Sequence, residues 1–490
     1  MTETATAGPT TTAGPAAIDP AAIDPVTDAD AEVVAVVDRA RAAQAAVNDY
    51  TAEQVHELTT AVAYAVARKD RAAQLARLAV DEAGFGDYDD KVVKIERRVL
   101  GVLTDLRDTP TVGVVEEDPQ RGLVKIAKPV GVVAALIPTT GPDATPPVKA
   151  LWALAGRNAV VFAAHPRSAG TTRAVVDLMR AACEQVGAPA DLVQVLPQPR
   201  LAATQALMRH ADLIVATGGA GMVKAAYSSG TPAFGVGVGN CVHVVDETGD
   251  IADAAASIVV AKTFDHATSC LADNSVIVQD TVYDDLLGRL TSQGGHLCTP
   301  QQKEALQAAM WPDGGEIPCL AVIAKPAAHI AGLAGFDVPD GTTFLVVEED
   351  GVGPEHPFSG EKLSVVLALY RYSGGIDAAV DLVNAITGYQ GLGHTCGIHT
   401  SSDDAVAALA HGTRTARVLV NQNLNEGAGS ARNGLPFTLS LSCGTWGGTI
   451  TTENLNARHF VNLTWVSRPI TPRVIDADAL FAAHVQRYGH

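Results

Sequence analysis

The feature that most constrains this chain is an alternation between residues 132 and 227. Short, wholly apolar runs are separated there by stretches with helical periodicity. Val132 to Ile137, Ala159 to Ala164, Leu192 to Leu196 and Leu213 to Thr217 are apolar nearly end to end, as strands buried on both faces are. The intervening stretches, 146–156, 168–186 and 200–210, and the one after 217, are long enough for helices. Repeated strand–helix units of this length specify a parallel, doubly wound α/β sheet, whose ligands sit at the carboxyl ends of the strands. Interest therefore falls on three loops: Pro138-Thr139-Thr140, His165-Pro166-Arg167 and Gly218-Gly219. A second alternation, from about 241 to 457, contains Cys270, Glu361 and His394 and reads as a second α/β domain.

Flanking segments read differently. Residues 1–28 are rich in Thr, Ala, Gly and Pro, with Thr-Ala-Gly-Pro and Ala-Ala-Ile-Asp-Pro each occurring twice; such a stretch is expected to be a flexible tail, or else a docking peptide for an assembly partner. A helix is expected over 29–47. A second opens on the capping pair Thr51 and Gln54, carries Val55, Leu58, Val62 and Val66 at helical spacing, and ends by Gly84. From 110 to 130 the period becomes two, around a turn at Asp118-Pro119-Gln120-Arg121-Gly122, which predicts a hairpin.

Composition sets the outer limits. With 35 Lys and Arg against 54 Asp and Glu the net charge is −19, a field that repels phosphate backbones and anionic lipid, so neither nucleic acid nor a membrane is an expected partner. There is no apolar run of membrane-spanning length, and a cytoplasmic location is expected. The seven cysteines are scattered and odd in number, which predicts reduced thiols.

Four features bear on chemistry. The run Ala216-Thr217-Gly218-Gly219-Ala220-Gly221 follows a strand and opens a helix, so its glycines would let backbone amides approach a dinucleotide's phosphates, or would merely pack tightly. Cys270 follows a helical stretch and precedes the strand Ser275 to Val278; a free thiol is only about 3% ionised at pH 7, so a nucleophilic role requires activation, and a buried inert cysteine is the alternative. His394, Cys396 and His399 lie close in sequence, but on a strand the third points away from the other two, so no metal site is expected. No Gly-x-Ser-x-Gly elbow is present, which disfavours a serine hydrolase.

From Leu78 to about 470 the chain resembles the aldehyde dehydrogenase superfamily, and within it the CoA-acylating branch. The resemblance rests on LAVDEAGFGDYDDK (78–91), IPTTGP (137–142), KALWALAGRNAVVFAAHPR (149–167), ATGGAGMVKAAYSSGTPAFGVGVGN (216–240), KTFDHATSC (262–270), GEKLSVVLALY (360–370), GLGHT (391–395) and SCGTWGG (442–448). It implies a dinucleotide-binding domain over 29–110 and 131–240, a catalytic domain over 241–457, and oligomerisation elements over 111–130 and 458–475, hence a homodimer or homotetramer. It also implies roles. Cys270 is the nucleophile, and Thr140 joins the Cys270 amide in holding the oxyanion, at a loop where relatives often carry Asn. Glu361 holds the nicotinamide ribose, while Gly218, Gly219, His165, Arg167 and Ser168 contact the rest of NAD or NADP.

Two departures from the hydrolytic members matter. Their Glu-Leu-Gly-Gly, whose Glu activates water, is here Val236-Gly237-Val238-Gly239, so coenzyme A is expected to take the acyl group instead. Their Lys-Pro-x-Glu is here His165-Pro166-Arg167-Ser168, without a carboxylate for the adenosine ribose, so NADP should be tolerated beside NAD. The function implied is oxidation of a short-chain aldehyde to its acyl-CoA. Acetaldehyde and propionaldehyde are the defaults; sulfoacetaldehyde or succinate semialdehyde would need a cation in the pocket, and the sequence places none of Arg432, Arg414 or Lys149 there. The rivals are hydrolytic aldehyde oxidation, a cysteine thioesterase or acyltransferase, and a non-catalytic assembly protein.

Overall fold

The structure, a computed structural model, describes residues 28–489, so nearly all of the expected tail over 1–28 lies outside the described residues. Four helices come first: α1 (Asp28–Ala46), α2 (Ala52–Ala67), α3 (Lys69–Ala83) and α4 (Tyr88–Asp108). The capping pair forms as expected, with Gln54 N–H donating to Thr51 Oγ1 at 3.3 Å and Thr51 N–H to Gln54 Oε1 at 2.9 Å. Helicity breaks once before Gly84, at Arg68 (ψ 141°), so the single helix expected there is two. Gly84 closes α3 at φ 70°, a conformation that costs glycine nothing. Helix α4 is absent from the sequence expectations. Asp87 caps it through the Asp90 amide at 3.0 Å, and its charged residues Lys91 and Arg98 are only 1% and 7% exposed.

The hairpin follows as β1 (Gly113–Asp118) and β2 (Leu123–Pro129), antiparallel. Next come β3 (Val132–Leu136), α5 (Thr145–Ala155), β4 (Ala159–Ala163), α6 (Ala169–Gln185), β5 (Val193–Val195), α7 (Leu201–His210), β6 (Leu213–Ala216), α8 (Ala220–Tyr227) and β7 (Ala233–Gly235). The five strands form one parallel sheet in the order β5-β4-β3-β6-β7. Every residue of β3, β4 and β6 is buried, which is why these strands read as unbroken apolar runs. The chain winds from β3 outward through β4 and β5, then returns to β6 on the other side of β3. A crevice therefore opens between the carboxyl ends of β3 and β6.

A second parallel sheet of seven strands, in the order β10-β11-β12-β9-β8-β13-β14, is built from β8 (Cys241–Val245), α9 (Ile251–Thr263), β9 (Asp273–Gln279), α10 (Tyr283–Ser292), β10 (Gly295–Leu297), α11 (Pro300–Met310), α12 (Ala327–Leu333), β11 (Phe344–Glu348), β12 (Val366–Tyr372), α13 (Ile376–Tyr389), β13 (Gly393–His399), α14 (Asp403–Gly412) and β14 (Thr415–Val420). Each sheet has its own apolar core. The fold is thus α/β with two doubly wound parallel sheets, as expected. Finally β15 (Val461–Ser467) pairs antiparallel with β2 to make a three-stranded sheet, its Leu463 and Trp465 exposed, and α15 (Ala477–Tyr488) closes the described chain. Among the described residues no helix is long and apolar enough to cross a membrane.

Candidate active site

The turn between α9 and β9 carries Cys270, and its backbone is unusual. Asp265, His266 and Ala267 all have positive φ, at 49°, 49° and 60°. Three successive side-chain-bearing residues in the left-handed region cost of order 1 kcal/mol or more each, so something outside the turn must hold it. Asp265 does. Its carboxylate accepts from the Asp87 amide at 2.9 Å, Lys91 Nζ at 3.0 Å, Lys94 Nζ at 2.6 Å and Thr268 Oγ1 at 2.7 Å, while its own amide donates to Asp90 Oδ2 at 2.7 Å. Lys94 Nζ also donates to the Thr140 carbonyl at 3.3 Å, tying the Cys270 turn to the loop after β3. Lys91, Lys94 and Arg98 follow at helical spacing along one face of α4.

Burial alone would raise the Asp265 pKa, but the charges of Lys94 and Lys91 overcome it and hold it at about 2. Because that is below the usual carboxylate value of about 4, Asp265 stabilises the fold above pH 4, and the contribution is lost as pH falls toward 2. Asp265→Asn removes the carboxylate that both buried ammonium groups contact and leaves them only the more distant charge of Asp143, an expected cost of about 3–5 kcal/mol at neutral pH. The difference in Tm between wild type and variant should shrink between about pH 4 and pH 2. A pH-independent difference would contradict this account.

Cys270 is half-buried and lines a single cavity of about 660 Å³. The same cavity is lined by Thr140, His165, Arg167, Gly218, Gly219, Val236 and Glu361, so the structure brings together all but one of the residues singled out in the sequence. The exception is Ser168. It lies fully buried at the start of α6, its Oγ without a partner among the described residues and out of the cavity. The loops after β3, β4, β6 and β7 supply one side of the cavity, and those before β9 and β12 the other. A Cβ at Gly239 would collide with the Cβ and carbonyl of Cys270, so the backbone there must be glycine to pass behind that residue.

Burial and, after it, the Glu361 charge push the Cys270 thiol up to about 12, while the Arg417 guanidinium opposes them. The resting group is therefore a thiol. Its own amide lies against the sulfur and meets no other acceptor among the described residues. Glu361 is raised to about 7 by burial, against the pull of the Gly239 amide that donates to its Oε1 at 3.0 Å. Behind Cys270, Cys241 Sγ lies 3.1 Å from the Cys270 carbonyl and 3.4 Å from His394 Nδ1. Burial lowers His394 to about 3, and its Nε2 is buried without a partner among the described residues. Cys396 turns instead to Thr415, and His399 stacks on His243 with ring centroids 4.9 Å apart.

At the cofactor end, a Cβ on Gly219 would meet nothing within 4 Å. That open space beside the backbone fits a dinucleotide's phosphates. Arg200, not singled out in the sequence, joins Arg167 in lining this end. The first turn of α6 is taken up by Glu82, whose oxygens accept from the Gly170 and Thr171 amides, both at 2.7 Å. Of the basic residues weighed for the pocket, Lys149 is buried against the carbonyls of Leu136 and Val215, and Arg432 is 70% exposed beside Glu426. The cations that do line the cavity near Cys270 are Lys94 and Arg98, and both were missed. Their spacing along α4 was the available signal.

The sequence model described as the aldehyde dehydrogenase family matches residues 11–307. A sulfoacetaldehyde dehydrogenase (acylating) from Bilophila wadsworthia is 42% identical over 456 residues, 92% of this chain and 98% of its own. Among solved structures, an acetylating aldehyde dehydrogenase from Geobacillus thermoglucosidasius superposes with a TM-score of 0.87 at 35% identity, covering 91% of this chain and 98% of that one. A propionaldehyde dehydrogenase from Rhodopseudomonas palustris, with bound CoA and an acylated cysteine, does so with a TM-score of 0.80 at 27% identity, covering 89% and 97%.

Proposed function

The chain belongs to the aldehyde dehydrogenase family, in its CoA-acylating branch, and from that premise we propose which of its residues carry the reaction and which aldehyde it takes. The reaction is oxidation of an aldehyde to its acyl-CoA with NAD(P)⁺ and coenzyme A. One observation carries our assignment of roles: a single cavity joins Cys270 to Glu361 and the open Gly218-Gly219 backbone, with Val236 where a water-activating acid would stand.

The Cys270 thiol gives up its proton to solvent water as the aldehyde arrives, and Sγ adds as thiolate to the carbonyl carbon. The oxygen that becomes negative is met by the Cys270 amide and the Thr140 hydroxyl. The nicotinamide, when bound, supplies the hydride acceptor, and Cys270 is left carrying the acyl group as a thioester. Glu361 fixes the ribose hydroxyls beside it, and Gly218 and Gly219 admit the pyrophosphate. His165 and Arg167 frame the adenosine end, with Ser168 contributing backbone only. The CoA thiol then takes the acyl group and frees Cys270.

For the substrate, the reading is a short-chain aldehyde with an anionic tail, sulfoacetaldehyde first. The Bilophila relative is named for that compound, and Arg98, whose hydrogen-bond partners are neutral carbonyls, brings a positive charge to the cavity that Cys270 lines. Reduced-cofactor formation with CoA, followed as kcat/KM for acetaldehyde, propionaldehyde, sulfoacetaldehyde and succinate semialdehyde, should place sulfoacetaldehyde highest. A tenfold preference for propionaldehyde would overturn the reading.

Arg167 is assigned to the 2′-phosphate of NADP. Arg167→Ala should lower the NADP/NAD ratio of kcat/KM roughly tenfold, and an unchanged ratio would refute that role. The domain division 29–110 with 131–240, 241–457, and 111–130 with 458–475 is part of the same proposal. The sheet of β1, β2 and β15 is the proposed contact of a cytoplasmic homodimer or homotetramer, its exposed Leu463 and Trp465 covered by a neighbouring subunit.

A further inference from the structure

The geometry points to Arg98 as an anion-binding subsite beside Cys270, a guanidinium fork that takes the sulfonate of the aldehyde's tail. This rests on the reading that the substrate is an anionic aldehyde, and goes beyond it by assigning the group that recognises the charge.

Arg98 is held rigidly. Nη1 donates to the carbonyls of Ala428 at 2.7 Å and Gly429 at 2.8 Å, and Nη2 to that of Asn425 at 3.0 Å. All three acceptors are neutral. A guanidinium has five N–H donors, so both hydrogens of Nη1 and one of Nη2 are used. Nε–H has no acceptor among the described residues, and Nη2, which makes one hydrogen bond, has a second hydrogen to give; these two nitrogens share the edge of a guanidinium that binds an anion bidentately. Arg98 lines the same cavity as Cys270, and a Cys270 thiolate would favour its charged form.

Burying a guanidinium among neutral carbonyls costs free energy that a pairing anion would return. Burial lowers the Arg98 pKa to about 10, which still leaves it charged at neutral pH. The nearest acid, Glu426, lies 3.3 Å from Arg432 through Oε1 and makes no hydrogen bond to Arg98. Sulfoacetaldehyde carries its sulfonate on the carbon next to the carbonyl, so an anion held by Arg98 leaves the aldehyde in the same cavity as Cys270.

The other cations fit less well. Lys94 is committed to Asp265 and the Thr140 carbonyl. Arg417 is buried against Thr395, Asn454 and backbone carbonyls, outside the cavity lining. Arg200 pairs with Glu32 of α1 at the cofactor end.

The test compares wild type with Arg98→Met and Arg98→Lys. Arg98→Met should lower the ratio of kcat/KM for sulfoacetaldehyde to that for propionaldehyde by on the order of 100-fold, and Arg98→Lys by about tenfold, since lysine keeps the charge and loses the fork. Ethanesulfonate, which has the tail and no aldehyde, should compete with propionaldehyde in wild type, with a Ki raised at least about tenfold in both variants. Equal losses for both aldehydes would make Arg98 structural and overturn the inference. So would an unchanged ratio and Ki in Arg98→Lys, the variant that decides the matter if Arg98→Met fails to fold. If ethanesulfonate competes through Arg98 while wild type does not oxidise sulfoacetaldehyde, the subsite stands and the substrate reading falls.

Discussion

Cys270→Ala is expected to abolish reduced-cofactor formation, by on the order of 10⁴-fold or more, because the reaction then has no group to form the covalent adduct. The change removes one half-buried sulfur atom and no hydrogen bond that holds the turn, which is fixed by Asp265. The Tm should therefore stay within a few degrees of wild type, and dinucleotide binding should persist. Retention of a tenth of wild-type turnover would remove Cys270 from the mechanism. The same substitution at Cys183, Cys298 or Cys319 is expected to be tolerated. Cys241 is the instructive intermediate: its thiol touches the Cys270 carbonyl and His394, so Cys241→Ala should lower turnover without abolishing it.

How far the sequence reveals this site depends on the physical character of each part. The two parallel sheets are legible because strands buried on both faces must be apolar throughout, and β3, β4 and β6 are. The hairpin is legible because a two-residue period and a Pro-x-x-Gly turn leave little else to form. Helix α4 is not legible. Its run of Asp, Lys, Glu and Arg reads as a solvated segment, yet Lys91 and Arg98 are buried against Asp265 and the 425–429 carbonyls, partners that lie more than 170 residues further along the chain. The cations of the pocket were hidden with it.

Cys270 by residue type alone looks like any of the other six cysteines, and its assignment came from the surrounding motif. The structure adds a physical distinction, a left-handed turn clamped from outside. Ser168 shows the converse error, since a position carried over from a motif can keep its place on the backbone while its side chain turns inward. His394, set aside as a metal ligand, packs one layer behind Cys270, its Nε2 buried without a partner among the described residues.

The central claim concerns what removes the acyl group. Hydrolysis needs a base to take a proton from water, and Val236 cannot act as one. Among the described residues the only carboxylate lining the cavity is that of Glu361, whose Oε1 is engaged by the Gly239 amide and which is assigned to the cofactor's ribose. A thiol ionises far more readily than water and needs no such help. The effect should be large: without CoA the acyl-enzyme accumulates and turnover stops, and with CoA it resumes.

The most direct test is to mix enzyme, aldehyde and NAD(P)⁺ rapidly, record absorbance at 340 nm before and after adding CoA, and identify the products. The account predicts a burst of about one reduced cofactor per Cys270, then at most slow acid formation, then rapid turnover and acyl-CoA once CoA is present. Rapid formation of free acid at a rate independent of CoA would contradict it.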